Sequence, residues 1–307
     1  MILFEDNMQN SRVKPLISLI GSMLIFGTIG IFRKYIPLSS ALLACARGFI
    51  GGLFLLFFVS LKKKKVFSVF SAKQIILFCI TGVFLGTNWI LLFEAYNHTT
   101  VAVATLCYYM EPTIVILLSP LFFGERLTLK KSVCAAVSII GIALVSGITG
   151  FSGVGTADIT GILCGLGAAL LYSAVVILNK KNPSENAYGK TIIQLLSAAV
   201  VLLPYILLTE NIKGTSVDAK AIVMVLTVGI LHTGIAYALY FGSINSLNSQ
   251  TVAIMSYIDP VSAIILSALF LNEKMTVFSA IGAVLIIGAA IISETEFDKL
   301  HKKEKTQ

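Results

Sequence analysis

The sequence predicts an all-α integral membrane protein of ten transmembrane helices, arranged as two inverted five-helix repeats. Three observations predict it. Hydrophobic residues make up 57% of the 307 and charged residues only 12%, which is too apolar for a surface solvated by water. Apolar stretches recur at the roughly 17 to 25 residues that a helix needs to cross a hydrocarbon core. A segment near the middle of each half also repeats at a constant offset of 148 residues, with 13 identities in the 43 positions from Gly86 to Thr128.

Taken in order, the first half holds predicted helices at residues 15–32, 39–60 (with Arg47 inside), 74–93, 100–123 (with Glu111) and 132–157. The second half holds 159–179, 191–209, 221–242 (with His232), 251–272 (with Asp259) and 277–293. The first helix is too long for the apolar region of a signal peptide and is followed by Arg33 and Lys34 rather than by a cleavage pattern, so it is expected to be retained. Five helices per half is an odd number, so the second copy enters the membrane from the opposite side. That is the inverted-repeat architecture of many secondary transporters, whose sites lie near the bilayer midplane. The expected division is residues 1–146 for the first repeat, an extracytoplasmic linker and hinge rich in Gly, Ser and Thr at 147–158, the second repeat at 159–293 and a charged, disordered cytoplasmic tail at 294–307.

The basic residues set the orientation. With the N-terminus inside, 17 of the 23 Lys and Arg fall in inner segments, 5 in outer segments, and Arg47 lies within the membrane. This bias predicts a multi-pass protein of the cell (inner or plasma) membrane with both termini cytoplasmic. The net charge of +8 is then topogenic, with anionic membrane lipid as its partner and no nucleic acid required. Lys62 to Lys65 form the foremost lipid-facing cluster. The five cysteines all fall in predicted helices as small apolar residues, and neither a metal nor any other cofactor is implied. No nucleophile elbow, phosphate loop or metal-ligand spacing is present, so an enzyme is not predicted.

The repeated segment carries the candidate site. Tyr109-Met110-Glu111-Pro112 in the first half corresponds to Tyr257-Ile258-Asp259-Pro260 in the second. An ionised side chain near the bilayer centre costs roughly 2.5 to 3.5 kcal/mol unless it meets water or a partner, so Glu111 and Asp259 are expected to bind substrate and to exchange a proton. A fixed pair or a capping bond to a neighbouring helix would account for the same acids. Pro112 and Pro260 lack an amide hydrogen and should leave the carbonyls of Tyr108 and Ser256 unpaired in a kinked helix, giving an electronegative pocket suited to an ammonium group. Trp89, Tyr109, Tyr237 and Tyr257 are expected to line the same site through their rings, with Tyr108, Tyr172 and Tyr240 as weaker candidates. Asn88 and His232 are polar, mid-helix and added to the substrate-binding set, although a hydrogen bond across a helix contact would explain each. Arg47 is expected to pair with Glu94, with recognition of a substrate carboxylate as its alternative role, and Arg33 to snorkel to the outer interface. Gly48 with Gly52, Gly82 with Gly86 and Gly161 with Gly165 have the spacing of close helix approach. Glu125 and Glu273 should serve as terminal charges or caps, and Thr128 and Thr276 should start the next helices.

Each acid-proline element is followed by a shared tail, Phe122-Phe123-Gly124-Glu125-Arg126-Leu127-Thr128 and Phe270-Leu271-Asn272-Glu273-Lys274-Met275-Thr276. With ten predicted helices in two halves, this pattern resembles the EamA family of the drug/metabolite transporter superfamily over essentially the whole chain. Asn272 in place of Gly124 is a minor departure. The resemblance implies an inner-membrane permease, most often an exporter of amino acids, amines or other small metabolites, working by alternating access around a central cavity. A single mid-membrane arginine argues against substrates with several phosphates. A non-transporting receptor or assembly component, or a passive channel, would be the competing use of such a fold.

Overall fold

In a computed structural model of the protein every described element is a helix. The structure describes residues 2–61, 70–124, 127–145, 156–182, 184, 186–210, 218–244, 246, 247, 252 and 255–294. Most of the 147–158 hinge, Lys62 to Lys65, Glu125 and the tail beyond residue 294 lie outside them. The elements are α1 (Ile2–Gly27), α2 (Ile29–Tyr35), α3 (Ser40–Leu61), α4 (Ala72–His98), α5 (Val101–Tyr108), α6 (Glu111–Phe123), α7 (Leu129–Val145), α8 (Thr156–Lys181), α9 (Ala187–Thr209), α10 (Ala219–Thr227), a π-helical segment (Val228–Ile235), α11 (Ala236–Ile244), α12 (Ile258–Phe270) and α13 (Val277–Glu294).

Local chemistry explains the boundaries. Ser71 and Gln74 form a reciprocal capping box at the start of α4, and Thr100, Asn186 and Asp218 cap α5, α9 and α10 with side-chain oxygens. Thr128 and Thr276 accept from the amides of Lys131 and Ser279, as their positions before α7 and α13 predicted. Helix α6 ends at Gly124 with φ +67°, and Asn272, its counterpart two residues past α12, has φ +53°. The departure between the repeats therefore keeps the backbone: asparagine is among the few residues that accept the left-handed conformation at modest cost.

Four of the predicted spans are not the continuous α-helices that hydropathy alone suggests; one of them, at 251–272, turns at Tyr257 before the helix that starts at Ile258. The first breaks at Thr28, between α1 and α2, and the span predicted at 221–242 passes through the π segment. The span predicted at 100–123 breaks after Tyr108 and restarts at Glu111. Among the described residues, seven spans have the length and apolarity to cross a membrane: Val13–Tyr35, Ser40–Leu61, Ala72–His98, Val101–Phe123, Asp158–Lys181, Ala187–Thr209 and Ala219–Ser243. Ile258–Phe270 and Val277–Ser293 are apolar but shorter, and α7 opens on Lys130 and Lys131.

The two sequence halves interlock. Helix α4 packs chiefly on α8 and α9, α3 on α9 and the π segment, α1 on α11 and α12, and α7 on α13. The glycine pairs lie at these contacts: Gly48, Gly52, Gly82 and Gly86 meet α9, while Gly161 meets Thr99 and Gly165 meets Cys107 and Ala104. Polarity is inverted relative to a protein in water. Leu121, Leu129, Leu208 and Val284 are exposed, whereas Ser22, Thr81, Asn88, Gln194 and His232 are buried. Gln194 Nε2 donates to Thr81 Oγ1 at 2.7 Å and to Asn179 Oδ1 at 2.8 Å, the interhelical bonding that holds helices together when the surrounding solvent is hydrocarbon.

Candidate functional site

The two acid-proline elements both face one cavity of about 660 Å³. At the first, the chain turns through Tyr109 and Met110, the Tyr109 amide bonding to the Thr105 carbonyl at 2.9 Å and the Met110 amide to Cys107 at 3.2 Å. Helix α6 then starts at Glu111, which places Pro112 in its first turn. The second element does the same: Tyr257 is the turn, α12 starts at Ile258, and Asp259 and Pro260 lie in its first turn. This corrects the expectation of a proline kink inside a continuous helix. A first-turn proline has the φ that the helix wants and no amide that needed an acceptor, so the strain predicted for the interior does not arise. It also changes the electrostatics, because each carboxylate occupies a helix N-terminus, where the aligned peptide dipoles favour negative charge.

The structure brings six of the expected site residues together. Glu111, Asp259, Trp89, Tyr109, Tyr237 and Tyr257 all line the cavity. Tyr109 Oη donates to Asp259 Oδ2 at 2.7 Å, joining the tyrosine of the first repeat to the acid of the second. The rings of Tyr109 and Tyr257 have centroids 6.3 Å apart, and Phe26 meets Tyr237 edge-on at 5.4 Å. Ser173 Oγ on α8 donates to the Ala169 carbonyl of its own helix at 2.7 Å and lies 3.2 Å from the Glu111 carbonyl, so the second half also meets the break in the first.

Asn88 and His232 are not among the lining residues. Asn88 is fully buried and its Nδ2 donates to the Ala168 carbonyl at 2.6 Å, tying α4 to α8. His232 is fully buried, with Nε2 2.7 Å from Thr28 Oγ1 and its ring edge-on to Phe32. That contact ties the π segment to the break between α1 and α2. One polar atom of each serves a helix contact, Asn88 Nδ2 at α8 and His232 Nε2 at Thr28.

Arg47 does not pair with Glu94 as sequence reasoning expected. It is 3% exposed, lines the cavity, and lies over the Trp89 ring at 4.2 Å and near the Phe93 ring at 5.6 Å. Its Nε donates to Thr233 Oγ1 at 3.1 Å. Glu94 instead lies 3.6 Å from His98 on the same helix and accepts from Asn97. The reason is helical phase: Trp89 and Phe93 are four residues apart and share a face of α4, while Glu94 is a further ~100° round. Arg33 does not snorkel. It is 5% exposed and its guanidinium donates to the Ile36 carbonyl and to Ser40 Oγ.

Tyr96 also lines the cavity, as do Tyr108, Tyr172 and Tyr240. The signal for Tyr96 was its spacing: Trp89, Leu92 and Tyr96 follow the i, i+3, i+7 rule for one helix face.

Glu273 is terminal, as expected, but caps a helix in the other half. Its Oε1 accepts from the Val101 amide at 2.9 Å and its Oε2 from the Ala102 amide at 3.4 Å, at the N-terminus of α5. Beside it Lys34 Nζ donates to the Thr99 carbonyl at 3.1 Å. Glu273→Ala should therefore cost about 0.5 to 2 kcal/mol, the range for removing an N-terminal cap. A fall in the melting temperature of the detergent-purified protein measures it, and an unchanged melting curve would contradict the cap.

Comparison with known proteins places this geometry. Residues 13–147 and 159–295 each match the EamA-like transporter family. A Bacillus subtilis (strain 168) protein named uncharacterized transporter YxxF is 29% identical over 293 residues, covering 94% of this chain and 93% of that one. Protein PecM of Dickeya dadantii (strain 3937) is 26% identical, covering 70% of this chain and 72% of its own. Protein RarD of Salmonella typhi is 24% identical with the same two coverages. A protein of known crystal structure superposes with a TM-score of 0.65 at 18% identity, over 96% of this chain and 99% of its own, and so shares the fold.

Proposed function

The chain belongs to the EamA-like transporter family, and from that premise we propose that it is a secondary transporter of small amine-bearing or amino-acid-like metabolites, working as an exporter by alternating access. The observation that carries the reading is the shared cavity: two acid-proline helix starts, one from each half, border one space, and Tyr109 and Asp259 bond across it. A volume of about 660 Å³ suits a small metabolite. Acids at the ends of broken helices are the kind of group that takes an ammonium or a proton.

In this reading the protein is multi-pass in the cell membrane with both termini cytoplasmic. Its ten helices divide into inverted repeats at 1–146 and 159–293 joined by the 147–158 linker. The repeats rock about the cavity, and Glu111 or Asp259 exchanges a proton for substrate. Glu111, Asp259, Trp89, Tyr109, Tyr237 and Tyr257 bind the substrate; Asn88 and His232 support the helices around it.

Counterflow into vesicles reconstituted with the full chain tests the proposal. Preloading with amino acids or amines should accelerate and saturate uptake of the labelled compound. Flux that neither saturates nor exchanges would favour a passive channel, and no flux with any of them a receptor or assembly role.

A further inference from the structure

Arginines in this protein are treated in two ways. Arg33 is buried and structural, and its terminal nitrogens are given to the Ile36 carbonyl and to Ser40 Oγ. Arg47 is as deeply buried, yet among the described residues it has one hydrogen bond, from Nε, and no ion pair. Its charged face is set against the cavity. Burial of a guanidinium is costly without a hydrogen-bonded counter-ion, and the Trp89 and Phe93 rings offset only part of that cost.

The side chain is held rather than loose. Thr233, which accepts from Nε, donates its own hydroxyl to the Val228 carbonyl at 3.2 Å, five residues back across the π segment. Gly51 leaves room on α3 for the Thr233 methyl group. With Nε fixed on one side and the guanidinium carbon over the Trp89 ring, the two terminal nitrogens form a fork that has no hydrogen-bond acceptor among the described residues, on a side chain that lines the cavity. Such a fork matches a carboxylate, which takes two parallel bonds.

We propose that Arg47 is the anion-recognition residue of the cavity and that the transported metabolite is a zwitterion, its carboxylate on Arg47 and its ammonium toward Asp259 and Glu111. The ammonium half of this assignment rests on the function proposed above; the carboxylate half rests on Arg47 alone. A simple amine lacks the group that neutralises Arg47, and a simple carboxylate lacks the group that meets the acids.

Trp89 is the only tryptophan in the chain and it stacks on Arg47, so its emission reports occupancy at this point. The detergent-purified full chain is titrated with a panel of L-amino acids, with the amide of each and with the deaminated acid of each. At least one amino acid should change Trp89 emission and bind about tenfold or more tighter than its amide, in keeping with bonds to a charged partner. In Arg47→Gln the acid and its amide should bind within about twofold of each other. Thr233→Val, which keeps the arginine and disturbs the packing less, should lower the ratio at least about threefold.

Equal affinity for acid and amide in the wild type, or an unchanged ratio in both variants, would overturn the assignment. Deaminated acids binding as tightly as the amino acids would leave Arg47 in its role but overturn the amine reading of the function. No response from any member would overturn both.

Discussion

Asp259→Asn should abolish transport, lowering counterflow by about 100-fold or more, while the protein still purifies as a folded species. Asparagine has the shape of aspartate, and its Oδ1 can still accept the Tyr109 hydroxyl that now reaches Asp259 at 2.7 Å. The contact that spans the two halves therefore survives, and what is lost is the charge and the capacity to carry a proton. A 100-fold loss corresponds to about 2.7 kcal/mol, within reach of one hydrogen bond to a charged group. Tyr109→Phe should do less, about tenfold, because the acid keeps its charge. The variants are compared by counterflow with and without an imposed pH gradient. If Asp259→Asn kept both the wild-type rate and the wild-type response to the gradient, the coupling role would be lost.

Gly82→Leu should have the largest effect on the fold, leaving little monodisperse protein after extraction. A Cβ placed on Gly82 would lie 2.5 Å from the Gln194 carbonyl oxygen and 2.7 Å from Ser197 Cβ, so even alanine must push α4 away from α9. Overpacking of that kind costs about 1 to 3 kcal/mol. Here it would also pull Thr81 away from Gln194, breaking the buried bond beside it. Gly21 and Gly288 provide the control, since a Cβ on either meets nothing within 4 Å. Alanine there should be neutral or slightly stabilising by helix propensity. Size-exclusion profiles and melting temperatures separate the three, and a wild-type profile for Gly82→Leu would show that α4 and α9 are not locked at this point.

Much of this was legible in the sequence because membrane proteins write their constraints in simple signals. The apolar runs located the helices, and the glycine spacings located their contacts. The duplicated acid-proline element located the cavity, since an acid kept in both copies at the same depth needs a common reason. What the sequence did not reveal was helix phase and helix ends. Hydropathy averages over a window and cannot distinguish a kinked helix from two helices meeting at Tyr109 and Met110. Arg47 was assigned to Glu94 because opposite charges invite pairing, whereas the packing of α3 against the Trp89 face of α4 decided otherwise. Asn88 and His232 illustrate the reverse case: polar residues in apolar helices can serve neighbouring helices as readily as a ligand.

The π segment at Val228–Ile235 holds Thr233 for Arg47, but it is also a phase shift written into the helix. Each residue of an α-helix advances the chain by ~100° about its axis, and a π turn absorbs one residue more than an α turn. Removing a single residue between Val228 and Ile235 would let the helix close into a regular spiral and would swing everything beyond it around the axis. Tyr237 and Tyr240, which face the cavity from α11, would then face another neighbour. Deletion at this point would act as a rotation, and the direction in which the aromatic wall looks is set by one surplus residue.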